Sequence, residues 1–204
     1  VDDLDAVLLD MDGTLVDSDA AVDRAWARWA ADYGVDLDTV LRLAPGKTAL
    51  TAIRQVAPGL DDEAARRAAR YQIDLQLADI DGTKPLPGAA DLLGTLDRLG
   101  LSWAVVTSAD ADLAQARLGA AGITAPLLVT ADDVRLGKPD PEGYLLAATR
   151  LQVRPERCLV VEDSAAGVAA GQRAGARVAA LRGHPADLTI PDLGALATLL
   201  AARG

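Results

Sequence analysis

Ala6-Val7-Leu8-Leu9-Asp10-Met11-Asp12-Gly13-Thr14 is the stretch whose reading decides the fold. A short apolar run that stops at a carboxylate and a glycine turn reads as a buried strand handing polar groups to the loop at its carboxyl end. Further along, apolar runs at 103–106, 127–129, 159–161 and Arg177–Ala180 alternate with amphipathic stretches at Ala89–Leu99, 112–121, 141–149, 165–174 and 193–202. Short strands alternating with longer helical patterns build a parallel sheet covered by helices, so the expected class is α/β. Asp140-Pro141-Glu142 marks one helix start, with Asp140 as the cap and Pro141 in the first position.

One segment breaks the alternation. Between residues 17 and 83 no strand pattern is found, only helical periodicity, so 17–83 is expected to be a helical insertion and 1–16 with 84–204 the α/β core. Val22, Ala25, Trp26, Trp29, Ala30 and Tyr33 line one face at the helical period, and packing within the insertion is the expected use of these aromatics. Residues 61–79 give a second long helix, and Lys84-Pro85-Leu86-Pro87-Gly88 marks the return to the core.

The 204 residues are half apolar and carry 20 basic against 30 acidic groups, 20 − 30 = −10. That charge disfavours nucleic acid and anionic membranes as partners. An anionic substrate therefore has to be captured by local donors and a cation. The single cysteine, Cys158, lies in the apolar run Cys158-Leu159-Val160-Val161 and is expected in the core. With no leader-like or membrane-length apolar stretch, a cytoplasmic location is expected, as is a monomer or weak dimer.

In open parallel sheets ligands bind outside the carboxyl ends of the strands. Asp10 and Asp12 follow the first run, Thr107 and Ser108 follow 103–106, and Glu162 and Asp163 follow 159–161. Four carboxylates in one crevice repel by about 4 kcal/mol for each close pair at an effective dielectric near 20, so they need a cation. Oxygen ligands without clustered His or Cys, His184 being the one histidine, point to Mg²⁺.

Asp10-Met11-Asp12-Gly13-Thr14-Leu15-Val16-Asp17-Ser18 resembles the first motif of the haloacid dehalogenase superfamily in its phosphatase branch. Thr107 resembles the second motif, Lys138 in Gly137-Lys138-Pro139-Asp140-Pro141 the third, and Glu162-Asp163 the fourth, in the family's order. The resemblance implies a Rossmann-like three-layer α/β/α core with an inserted helical cap of the C1 type. It implies Asp10 as nucleophile forming an aspartyl phosphate and Asp12 as general acid and base, its pKa raised by crowding among like charges. It assigns metal coordination to Asp10, the carbonyl of Asp12 and Asp163, with Glu162 supporting the metal or its water. Gly13 through its amide, Thr107, Ser108 and Lys138 would cradle the phosphoryl group. Gly46 and Lys47, in a cap loop, would set specificity.

The expected activity is hydrolysis of a small sugar or polyol phosphate, since the cap and motifs look most like those of bacterial sugar phosphatases and 2-deoxyglucose-6-phosphate phosphatases. A β-phosphoglucomutase-like mutase, a phosphoglycolate phosphatase and a non-catalytic binding module of the same fold are the alternatives. Pro45, Ala109 and Ala166 depart from the residues usual in that group, which leaves the substrate open. Two look-alikes fail. Pro45-Gly46-Lys47-Thr48 lacks the upstream glycine and strand of a P-loop, and Gly167, Gly171 and Gly175 have helix-packing rather than dinucleotide-binding spacing. Asp17, Ser18 and Ser164 read as hinge and helix-capping residues.

Overall fold

The computed structural model describes residues 3–202. Six parallel strands form one sheet: β1 (Ala6–Leu9), β4 (Ser102–Val106), β5 (Leu128–Val129), β6 (Cys158–Glu162), β7 (Arg177–Ala180) and β8 (Leu188–Thr189). Their order is β5-β4-β1-β6-β7-β8, with Ala6 opposite Ser102 on one side and Cys158 on the other. β1 is thus central, and its carboxyl end opens between those of β4 and β6. A two-residue pair, β2 (Val16–Asp17) with β3 (Lys84–Pro85), runs antiparallel at the point where the chain leaves and re-enters this sheet.

Alternation along the strands sorts the core into two layers. Val7, Leu9, Trp103, Val105, Leu159 and Val161 pack under α5 (Ala89–Leu99), α6 (Ala111–Ala120) and α9 (Leu193–Ala201). Ala6, Leu8, Ala104, Val106, Cys158 and Val160 face the other way, under α7 (Glu142–Arg150) and α8 (Ala165–Arg173). Both faces being covered is why the strands read as unbroken apolar runs. Gly171 lets α8 lie close: a Cβ there would stand 2.9 Å from both Val160 and Val178. Cys158 is buried, and burial pushes its thiol up to about 11.

Residues 19–77 hold four helices: α1 (Asp19–Tyr33), α2 (Leu37–Leu43), α3 (Ala49–Val56) and α4 (Asp62–Leu77). They share a core of their own around Trp26, Trp29, Ile53 and Ala68. Trp26 meets Trp29 edge-on at 5.5 Å, Trp29 stacks on Tyr33 at 4.6 Å, and the Trp29 indole N–H donates to the Ala68 carbonyl at 3.1 Å. The aromatic stripe is therefore packing. Asp36, Thr48 and Asp61 cap α2, α3 and α4 through their side chains.

Two expectations on local structure shift. α7 begins one residue later than expected, at Glu142, and Asp140 accepts from the Glu142 amide at 3.0 Å across Pro141. Ser18 sits at the start of α1 without making a capping bond; its hydroxyl is engaged elsewhere. Among the described residues no helix is long and apolar enough to cross a membrane.

Candidate active site

The carboxyl edge of the sheet and the four-helix segment enclose a cleft of about 1040 Å³ whose walls include Asp10, Asp12, Thr107, Ser108, Lys138 and Asp163. At its floor lies Lys138, 5 % exposed. Its Nζ donates to Asp10 Oδ1 at 2.5 Å, Glu162 Oε1 at 2.6 Å and the Val106 carbonyl at 3.0 Å, and it stands 5.2 Å over the Tyr144 ring. All three ammonium protons have acceptors. Burial pulls Lys138 down, but the carboxylates of Asp10 and Glu162 outweigh it and hold the ammonium above its ordinary range. Burial, then the charge of Glu162, raises Asp10 well above the usual carboxyl range. The same two causes lift Asp163 to about 7 against the pull of Arg182, whose Nε lies 3.1 Å from Asp163 Oδ2.

Glu162 is fully buried, and five donors fill its oxygens. Oε1 accepts from Lys138 and from the Tyr144 hydroxyl at 2.7 Å; Oε2 accepts from the amides of Asp163 and Ser164 and from the Ser164 hydroxyl at 3.1 Å. A Cβ at position 167 would come within 1.7 Å of Oε1, so Gly167 gives this carboxylate its room. Ser164 does cap α8, accepting from the Gly167 amide at 3.1 Å. Glu162 thus sets Lys138 from beneath the cleft.

Asp12 has other neighbours. Its Oδ1 accepts from the Ser18 hydroxyl at 2.6 Å and lies 2.8 Å from Nη1 of Arg117, a nearly inaccessible residue of α6. Crowding among carboxylates acts on Asp10 and Asp163. The turn after β1 closes on itself: the Val16 amide donates to the Met11 carbonyl and the Gly13 amide to the Val16 carbonyl, both at 2.9 Å. The amide and carbonyl of Asp12 lie outside these bonds.

Two cradle residues are placed differently from expectation. The Gly13 amide donates to the Val16 carbonyl within the turn; Gly13 is needed for its φ of +77° and because a Cβ would stand 2.1 Å from Asp163 Oδ2. The Ser108 hydroxyl donates to the Gly46 carbonyl at 2.9 Å, tying the loop after β4 to the helical segment. Thr107 Oγ1 accepts from the Ala109 amide at 3.1 Å, at the end of β4 and on the wall of the cleft. Gly46 packs on Ser164, and Lys47 turns back to the Leu43 carbonyl and Gln55, although both line the cleft. Tyr144, Arg117 and Arg182 were missed from sequence. A buried arginine between Ala114 and Leu118 on one face of α6 is the one local signal that could have revealed Arg117.

The family model for haloacid dehalogenase-like hydrolases matches residues 4–175. This chain belongs to that family. Hexitol phosphatase A of Escherichia coli (strain K12) is 43 % identical to this hydrolase over 182 residues, covering 88 % of this chain and 83 % of the relative. Validoxylamine A 7'-phosphate phosphatase of Streptomyces hygroscopicus subsp. limoneus is 39 % identical over 175 residues, covering 82 % and 81 %. A hydrolase from Pseudomonas syringae superposes with a TM-score of 0.89 at 27 % identity over 98 % of this chain and 99 % of that one.

In this hydrolase Asp10, Glu162 and Asp163 each bring an oxygen to within 4.8 Å of the others. A hard, oxygen-only set with a repelling pair of carboxyls fits Mg²⁺. Glu162 already accepts from five donors, so Asp10, Asp163 and the carbonyl of Asp12, which takes part in no hydrogen bond among the described residues, are the groups that would hold it.

The raised carboxyls give a stability test with a definite sign. Folded Asp163 and Asp10 keep protons that the unfolded chain releases near pH 4, so the ion-free fold loses stability as pH rises from about 4 through 7. Thermal midpoints in EDTA are expected to fall between pH 5 and pH 8, with Mg²⁺ restoring more at pH 8 than at pH 5. A flat profile, or equal restoration at both, would contradict the repelling cluster.

Proposed function

We propose that this hydrolase is a Mg²⁺-dependent phosphatase acting on a small sugar or polyol phosphate through an aspartyl phosphate at Asp10. Residues 17–83 act as a cap over the core formed by 1–16 and 84–204. One observation carries the reading: Asp10 faces a cleft of about 1040 Å³ with Lys138 clamped to it at 2.5 Å and Asp12 on the same wall. The phosphatase names of the two relatives support the substrate class.

In the first step an Asp10 oxygen attacks phosphorus, the bond to the leaving oxygen breaks, and Asp12 gives that oxygen its proton. In the second, Asp12 takes a proton from water as the water attacks phosphorus, which frees Asp10 and inorganic phosphate. Lys138 fixes the Asp10 carboxylate by its carboxyl oxygen and contributes positive charge for the transferring group. Thr107 offers its hydroxyl. Ser18 and Arg117 hold the Asp12 carboxyl in register with the leaving oxygen. Mg²⁺, when bound, offsets the repulsion between an anionic nucleophile and an anionic phosphate.

Phosphate release from a panel of hexitol, hexose and short-acid phosphates, with and without Mg²⁺, tests the proposal; hexitol or hexose phosphates are expected to lead. No Mg²⁺-dependent release from any of them would overturn it, and conversion of β-glucose 1-phosphate to glucose 6-phosphate would favour a mutase. Asp12→Ala separates the roles further. An aryl oxide leaves without a proton, so alkyl phosphates are expected to lose at least about tenfold more rate than aryl ones, within the usual 10²–10⁴ range of general acid catalysis. Equal losses would remove Asp12 from that role.

A further inference from the structure

The buried face of α4 carries Ala65, Ala68, Ala69, Gln72 and Gln76. Three alanines are what a packed helix face calls for; two glutamines are not. Gln72 is fully buried and Gln76 is 8 % exposed. Buried amides are costly unless every group finds a partner, about 1–3 kcal/mol for each donor left alone. Here they do not all find one. Gln76 donates to Gln72 Oε1 and accepts from Arg117 Nη2 at 2.6 Å, and Arg117 Nη1 reaches Asp12 Oδ1 at 2.8 Å. The relay runs from the helical segment through α6 to the carboxylate proposed to protonate the leaving group. Along it, among the described residues, Nε2 of Gln72 and Nε of Arg117 have no acceptor.

Gln72, Gln76, Arg117 and Asp12 all line the cleft, as does Trp26, which supplies an apolar wall. Arg117 already faces the Asp12 carboxyl at 2.8 Å, so the unsatisfied groups do not call for a second acidic partner. Unfilled N–H donors of an amide and of a guanidinium whose charge is already paired match hydroxyl groups, whose oxygens accept from them. We infer that Gln72, Gln76 and Arg117 form a hydroxyl-recognition subsite for the carbon chain of the leaving group. It holds a polyhydroxylated substrate by donors that stay unsatisfied until it binds. A site built to hydrogen-bond a substrate hydroxyl discriminates strongly against analogues that lack it.

The inference rests on the sugar or polyol phosphatase reading and names the residues that would select that class. The test compares kcat/KM for a hexitol 6-phosphate with that for an aryl phosphate, which has no hydroxyl chain, in the wild type, Gln72→Leu and Gln72→Met. Leu or Met removes the unsatisfied Gln72 donor but leaves the Gln76 amide without its acceptor, so both variants are expected to melt slightly below the wild type, and a melt on each preparation shows that it folds. The ratio of hexitol to aryl kcat/KM is expected to fall at least tenfold in both variants, through a raised KM for the hexitol phosphate. A fall of less than threefold in the variants that fold overturns the subsite. A wild type that turns over the aryl phosphate and no hexitol or hexose phosphate overturns the substrate class beneath it, whatever the variants do. Adding back selectivity through Gln72→Asn, which keeps the amide one carbon shorter, is expected to recover part of the ratio. No recovery over Gln72→Leu would count against amide recognition.

Discussion

Asp10→Asn is expected to lose turnover by roughly 10³-fold or more, the scale seen when a covalent nucleophile is removed, while melting no lower than the wild type. The two halves of this result come from the same geometry. Asp10 is 7 % exposed and crowded by Glu162, and its raised pKa means that the carboxylate is held at a cost to the fold. An amide keeps the shape and still offers Lys138 a carbonyl oxygen at the distance now spanned by 2.5 Å. It cannot form an acyl phosphate. Phosphate release and a thermal melt on the same preparation check both halves. Retention of more than a few per cent of activity would remove Asp10 as nucleophile, and a large drop in the melting midpoint would show that the carboxylate is structural.

Lys138→Met is expected to fail on both counts. Asp10 and Glu162 would face each other with no cation between them, and breaking a buried ion pair from one side costs about 3–5 kcal/mol. In a chain of this size that is a fall in melting midpoint of roughly 6–20 °C. The drop has a pH signature. Protons neutralise the stranded carboxylates, so the destabilisation should shrink from pH 8 toward pH 5. Catalysis should fall by about 10²–10³-fold at any pH where the variant stays folded, because a preorganised positive charge aimed at the reacting group is gone. Melting curves at the two pH values, with rates on an aryl phosphate, read this directly. Wild-type stability at pH 8 would contradict the buried bridge.

The strands of the sheet core were legible because each central one is apolar on both faces, and no other use of Ala6–Leu9 or Cys158–Glu162 competes with burial. β8 was not, since Leu188–Thr189 is two residues long with only one of them half-buried. α2 and α3, at seven and eight residues, are too short for periodicity to declare them. At the site, Asp10 and Asp163 were legible as carboxylates at the ends of apolar runs, and Lys138 as part of Gly137-Lys138-Pro139-Asp140-Pro141. The partners that tune them were not. Glu162 reads as one more acid, and only the tertiary fold shows it receiving Lys138, Tyr144 and Ser164. Gly13 and Ser108 carry donors that the turn and Gly46 claim first, a competition invisible along the chain.

Transfer of the phosphoryl group to Asp10 is the centre of the account, and one trapping measurement addresses it. The enzyme is mixed with saturating hexitol 6-phosphate and Mg²⁺, quenched in the presence of borohydride, digested and sequenced by mass spectrometry. Reduction of an acyl phosphate turns the aspartate that bore it into homoserine. The expected result is homoserine at position 10, absent without substrate and absent in Asp10→Asn. Sustained phosphate release with Asp10 unmodified, or with the modification at Asp12 or Asp163, would contradict it.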